Sequence, residues 1–359
     1  MNTIKYTYKS DCKFFRGDIP CRPHKEFNVH CSDCKYYQKE RGKILIIKLG
    51  AIGDVIRTSP LLHKIKEEYP DHSIWWLTLT PEVLPALVDK KLKFNLESVL
   101  LVRAINFEIL INLDKDDFAC GLAKKIKAKV KYGFTLKKGK PAPENPFAEE
   151  KFITGIFDDA NKANIKSYLV EIFEICGWEF EKEEYILEKD DSFKWKIASE
   201  GKKIVGLNTG CGSRWTSRLW KEEYWAELTC LLQENNYFPV LLGGEQENER
   251  NLSIAKSTNS LYLGHFGLNQ FISLVDKCDI VVTAVTMALH IAIGLKKQVV
   301  LINNIFNPNE FELYGRGEIV MPEKECKCFF SPTCINEEYF CLDSLKPSTI
   351  FKSIKRLSK

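Results

Sequence analysis

Two stretches in which strand and helix patterns alternate confine this sequence to a small set of folds. The first stretch begins at Lys43. Apolar runs read as strands over 43–49, 73–79, 98–102, 108–112 and 129–134, with helical patterns near 54–68, 82–88 and 117–127. The second begins at Lys203. There the strands IVGLNTG, YFPVLLGG, DIVVT and QVVLINN alternate with the helices EEYWAELTCLLQE, LNQFISLVDKC and TMALHIAIGL. Strands joined in this way by helical connections pair in parallel and are covered by helices on both faces.

The chain has 359 residues, more than one core usually holds, which suits two domains of roughly 150 residues each. Hydrophobic residues make up 45% and charged residues 28%, a composition that folds and is not disordered. The expected division is a cysteine-rich segment over 1–41, a first doubly wound domain over 42–185, a linker over 186–202, a second doubly wound domain over 203–345 and a last helix within 346–359. The Lys- and Pro-rich run 137–151 reads as a surface loop and 162–176 as a helix. Residues 179–201 are charged and lack an apolar period, which marks the boundary.

Charge and hydropathy narrow the partners. The formal net charge is +4, with Lys and Arg spread among nearly as many acids, so nucleic acid is not an expected partner. The opening MNTIKYTYKSDCKFFRGD has no apolar core segment of the kind that makes a signal peptide. The longest apolar run, Ile280–Leu295, contains two threonines and a histidine and falls short of the ~20 residues a spanning helix needs. The expectation is a cytoplasmic protein with reduced thiols, in contact with the inner membrane face at most peripherally.

In doubly wound domains, ligands bind beyond the carboxyl ends of the strands, so the loops there hold the candidate site. Asp54 follows the first strand, behind Gly50 and Gly53. A plain helix cap explains such an acid as well as chemistry does, and LGAIGD is not the GxGxxG dinucleotide pattern. The next loop, NTGCGSRWTSR, concentrates Thr209, Gly210, Gly212, Ser213, Arg214 and Arg218 after a strand. Small residues, hydroxyls and guanidinium groups there suit a phosphate. A third candidate is the helix start at Thr286, with His290 one turn on. A fourth is the loop after the strand ending at Asn303 and Asn304, where Glu310 or Glu312 is in a position to meet a sugar hydroxyl.

Taken together, KILIIKLGAIGDVIRTSPLL, NTGCGSRWTSRLWKEEYW, VLLGG, YLGHFGLNQFISLVDKCDIVVT and the helix carrying His290 resemble the motifs of glycosyltransferase family 9, the ADP-heptose:lipopolysaccharide heptosyltransferase family, in that family's order from about Lys43 to Pro347. The resemblance implies a GT-B fold: two Rossmann-like domains facing a cleft, with acceptor bound by the first and nucleotide sugar by the second. It implies an inverting transfer from a nucleotide-activated sugar, ADP-heptose by the family norm, to a glycan, lipid-linked or protein acceptor, with metal-independent catalysis. Asp54 falls on the family's proposed base, with Gly53 and Arg57 beside the acceptor. Thr209, Gly210, Gly212, Ser213, Arg214, Arg218, Thr286, His290, Asn304 and Glu310 fall to the donor. Arg218 stands where the family commonly has lysine. The family's Asp-Ser/Thr-Gly-Pro-Met-His run is here Val285-Thr286-Met287-Ala288-Leu289-His290, so an apolar side chain replaces the acid. That departure keeps a second reading open: a catalytically silent GT-B protein that binds a nucleotide sugar or a protein partner.

The chain has 13 cysteines, and eight fall in two clusters. Cys12, Cys21, Cys31 and Cys34 lie in the N-terminal segment, and Cys326, Cys328, Cys334 and Cys341 lie near the other end. Four reduced thiols in a short segment without a core of its own suggest a structural zinc, with an iron–sulfur cluster as the alternative.

Overall fold

Each alternating stretch builds a six-stranded sheet in the computed structural model, which describes residues 6–359. The first five residues of the cysteine-rich segment lie outside this range. The first sheet contains β1 (Gly42–Ile47), β2 (His72–Thr78), β3 (Lys90–Lys93), β4 (Asn106–Asn112), β5 (Lys127–Lys137) and β6 (Lys140–Pro143). They lie in the order β3-β2-β1-β4-β5-β6, parallel except for the β5–β6 hairpin. Central β1 is apolar at every position from Ile44 to Ile47, and all four are fully buried, as a parallel strand covered on both faces requires. At the carboxyl ends of β1 and β4, Lys48 Nζ lies 2.5 Å from Asp114. The backbone N–H of Leu49 also donates to this carboxylate.

The second sheet contains β7 (Lys203–Asn208), β8 (Tyr237–Leu242), β9 (Leu261–Tyr262), β10 (Ile280–Ala284), β11 (Gln298–Ile302) and β12 (Gly317–Val320). Its order is β12-β11-β10-β7-β8-β9, parallel throughout. The strand order reverses at the β7–β10 pair, where a doubly wound sheet offers its binding crevice. The helix Glu222–Glu234 has the bounds expected from its period. It buries Trp225, Leu228 and Leu232, one apolar stripe in a cluster with Leu207, Leu241 and Val282. The last helix, Pro347–Leu357, buries Ile350 and Ile354 in the same cluster.

Several local expectations are corrected. Residues 98–102, read as a strand, lie inside the helix Leu96–Ala104, which starts where Asn95 caps Ser98 N at 2.9 Å. A short apolar run has no period of its own, and the cap decided it. The helix expected at 82–88 is a single 3-10 turn, Pro81–Val83, followed by β3; Pro85 removes the backbone donor that a longer helix needs. The loop at 137–151 contains the β5–β6 hairpin. Lys138 and Gly139 both take positive φ (51° and 77°) at its turn, the backbone such two-residue turns demand. The helix expected at 162–176 is two helices, Asp158–Ala163 and Tyr168–Ile175, the second capped by Ser167. The helix Asn248–Thr258 and strands β9 and β12 had no strong sequence pattern.

The chain divides into two compact units. One holds the N-terminal segment through Leu49 together with Leu61–Pro81 and Ala86–Ala148; the other holds Gly50–Pro60, Glu82–Pro85 and Glu149–Lys359. Residues 149–185 therefore group with the second sheet and not with the first. Asn307 Nδ2 donates to the carbonyls of Asn161 (2.6 Å) and Asn164 (2.7 Å), which ties them there. The Asp54 turn also belongs to the second unit, because the helix Ile52–Ile56 packs on the helix Met287–Gly294. No helix among the described residues is long and apolar enough to cross a membrane.

Candidate active site

The carboxyl ends of β7 and β10 open onto a cavity of about 920 Å³ lined wholly by the second unit. Asn208 ends β7 and organises its floor. Its amide donates to Gly210 O (3.0 Å), Thr283 Oγ1 (3.1 Å) and Thr286 Oγ1 (3.3 Å). Thr286 caps the helix Met287–Gly294 by accepting from Ala288 N at 3.2 Å. Its hydroxyl is thus committed to the fold, and the residue lines the cavity.

Like Arg57, the buried Arg218 lines the cavity. Only 8% of it is exposed, Nη1 donates to the carbonyl of Val285, and the guanidinium carbon lies 5.2 Å from the Trp215 ring. Its buried Nε has no hydrogen-bond partner. Among the described residues no carboxylate pairs with it, and burial lowers its pKa below the ordinary arginine value. A desolvated guanidinium that lines a cavity with no carboxylate beside it is a site for an anion.

Asp54 is the third residue of the helix Ile52–Ile56, whose N-cap is Ala51, so Asp54 is not the capping residue. Its carboxylate lies 2.8 Å from Arg57 Nη2, and Glu310 lies 2.9 Å from Arg57 Nη1. The guanidinium of Arg57 stacks 3.6 Å from the centre of the Tyr168 ring. Burial opposes its charge, but Asp54 and then Glu310 raise its pKa above the usual arginine value. The result is a carboxylate–guanidinium–carboxylate chain on the cavity wall.

His290 is buried beside this chain. Burial and then Arg57 push its pKa down to about 3, against a smaller opposing pull from Asp54, so the imidazole is neutral. Tyr185 Oη lies 3.4 Å from its Nδ1. Gly53 is required at this contact: a Cβ there would stand 2.5 Å from His290 Cδ2. Among the expected residues, Gly53, Asp54, Arg57, Gly210, Gly212, Arg218, Thr286, His290 and Glu310 line this one cavity.

Four expected donor residues do not line it. Thr209 donates to Asn251 Oδ1 at 2.5 Å in the core. Arg214 lies over Trp215. Asn304 donates to Ser217 O at 2.9 Å, where it braces the turn before Arg218. Ser213 N donates to Gln246 Oε1 at 2.7 Å. The glycine loop as a whole differs from an open phosphate cradle, because Glu247 accepts from Gly212 N (3.2 Å) and Gly244 N (2.9 Å). Glu247 was missed from the sequence. Its signal is the acid pair in Gly243-Gly244-Glu245-Gln246-Glu247, directly after β8. Tyr185 was missed too, because its segment lacks periodicity.

Part of the wall is apolar, with Trp215, Phe266, Phe271, Phe306 and Phe330 lining the cavity together with Val285. Aromatic walls combined with convergent polar and charged groups are the usual makeup of an organic-ligand site. Among the described residues, no group of three or more His, Cys, Asp or Glu side chains stands in a geometry that holds a metal ion.

Similar proteins share this architecture. The structure of a glycosyl transferase family 9 protein from Veillonella parvula superposes with a TM-score of 0.66 at 17% identity, covering 89% of this chain and 97% of that one. E. coli ADP-heptose lps heptosyltransferase II superposes with a TM-score of 0.61 at 14% identity, covering 88% and 98%. Lipooligosaccharide heptosyltransferase 2 of Campylobacter jejuni is 21% identical over 342 residues, 88% of this chain and 98% of that protein. Two doubly wound sheets matching these structures make the fold GT-B, and the protein is a glycosyltransferase. Residues 101–340 match glycosyltransferase family 9 (heptosyltransferase), and the chain belongs to that family.

Proposed function

We propose that this protein transfers heptose from an ADP-heptose donor to a hydroxyl of a lipooligosaccharide-type glycan, with inversion at the anomeric carbon. One observation carries the reading: a buried Arg218 with an idle Nε shares a cavity with the acid Asp54. In the proposed reaction the acceptor oxygen attacks the anomeric carbon while Asp54 takes its proton. The bond from that carbon to the diphosphate breaks, and its electron pair leaves with ADP. Arg218 stabilises the departing charge. Glu247 and Glu310 are carboxylates suited to accept from sugar or ribose hydroxyls, a role the residue resemblance would have given to an acid at Val285. The aromatic walls suit a nucleobase. A cytoplasmic setting, with peripheral contact at the inner membrane face, goes with this reading.

The test is incubation with ADP-heptose and a truncated lipooligosaccharide, with the product followed by mass spectrometry and its anomeric configuration by NMR. Transfer is expected, and Asp54→Asn lowers it by about 10²–10⁴ while leaving ADP affinity intact. ADP binding with neither transfer nor donor hydrolysis would replace this reading with a silent binding protein, the outcome that Val285 favours.

A further inference from the structure

The N-terminal cysteines gather around a second, smaller cavity. Cys12, Cys21, Cys31 and Cys34 come from four separate turns, yet all four line one small cavity of about 20 Å³, closed off by Phe14, Phe15, Pro23 and Tyr37. All four are free thiols. The imidazoles of the segment stay out: neither His24 nor His30 lines the cavity, and His24 Nδ1 is engaged with Val29 O at 2.9 Å. The donor set facing the cavity is sulfur alone.

The surrounding chain has little else to hold it. Among its described residues only Pro23 is buried. Its regular structure is one six-residue helix, Arg22–Phe27, and one isolated bridge, Cys12 to Lys39. Tyr8, Phe15, Ile19 and Phe27 are exposed. A segment this short cannot offset its conformational entropy with so little apolar burial. Three of the cysteines nonetheless begin turns: Phe15 N donates to Cys12 O (2.9 Å), Lys25 N to Cys21 O (3.0 Å) and Tyr37 N to Cys34 O (3.2 Å), while Cys31 lies inside the turn that Asp33 N closes on His30 O (3.2 Å). The turns bring all four cysteines to the lining of one cavity.

We infer that Cys12, Cys21, Cys31 and Cys34 bind one thiophilic metal ion, zinc in the first instance, which serves as the missing core of residues 6–41. The thiols do not stand at coordination geometry, so binding draws them inward by rotation about their Cα–Cβ bonds and releases their protons to solvent. Four thiolates complete a tetrahedral shell and leave no open position, so the ion is structural.

The full chain, purified without chelator, is analysed for zinc and iron, and its native thiols are titrated with a disulfide reagent. The expected result is about one equivalent of metal assigned to this cluster: Cys21→Ser/Cys34→Ser loses it, whereas Cys326→Ser/Cys341→Ser keeps it. Reconstitution with cobalt alone then gives the visible absorption of a tetrahedral thiolate complex in the parent and not in Cys21→Ser/Cys34→Ser. Limited proteolysis cuts within residues 6–41 once the metal is stripped, while the sheet domains remain resistant. Equal metal content in the parent and Cys21→Ser/Cys34→Ser overturns the inference. So does rapid native titration of all four N-terminal thiols in protein as purified, a result that does not depend on any variant folding.

Discussion

The neutrality of His290 makes the stability of this protein pH-dependent in a way that one substitution isolates. The imidazole is buried against Gly53 and Tyr185 beside Arg57, with its pKa pushed down to about 3. The unfolded chain titrates near the ordinary value of about 6.5. Between these limits the unfolded state binds the extra proton, so stability rises with pH across the window and is lost as pH falls from about 6.5 toward 3. Each pH unit well inside the window is worth about 1.4 kcal/mol. From pH 7 to pH 4.5 the loss assigned to His290 comes to about 2.5 kcal/mol. For a domain of this size that corresponds to roughly 5–10 °C in melting temperature. His290→Phe keeps a ring against Tyr185 and removes the titration. The assay is thermal unfolding of both proteins between pH 4.5 and 7.5, and the parent is expected to lose melting temperature more steeply with acid. Parallel pH profiles would refute the assignment of a buried, neutral imidazole.

Two other perturbations probe the same cavity. Arg218→Ala should raise the dissociation constant for ADP by roughly 10–100-fold, as loss of a hydrogen bond to a charged group does, and added salt should weaken ADP binding to the parent; calorimetry showing unchanged affinity would remove Arg218 from the anion site. Gly53→Ala should cost about 1–3 kcal/mol in urea unfolding through overpacking, since its Cβ would stand 2.5 Å from His290 Cδ2. Gly53→Ala/His290→Ala should then lose less than the sum of the single changes, and strict additivity would disprove the contact.

Much of the architecture was legible in the residues alone. Strand runs such as Ile44–Ile47, the amphipathic periods of Glu222–Glu234 and Pro347–Leu357, and the glycine turns after β1 and β7 are written in local periodicity and turn chemistry, so their places follow from short windows of sequence. The loops that would carry function were legible too, because doubly wound sheets bind ligands at strand ends. The pairings within those loops belong to the tertiary structure. Arg57 meets Glu310 across 253 positions of chain. Asn304 spends its amide on Ser217, and Glu247 fills the backbone donors of Gly212 and Gly244. Lys48 and Asp114 find each other only because β1 and β4 are neighbours. The Asp54 turn follows a strand of the first sheet, yet packs with the second unit because Gly53 leaves room for His290. A side chain's partner depends on which distant segments the closed chain brings within a few ångströms. Local period determines which face a residue takes, and only tertiary packing decides what that face meets.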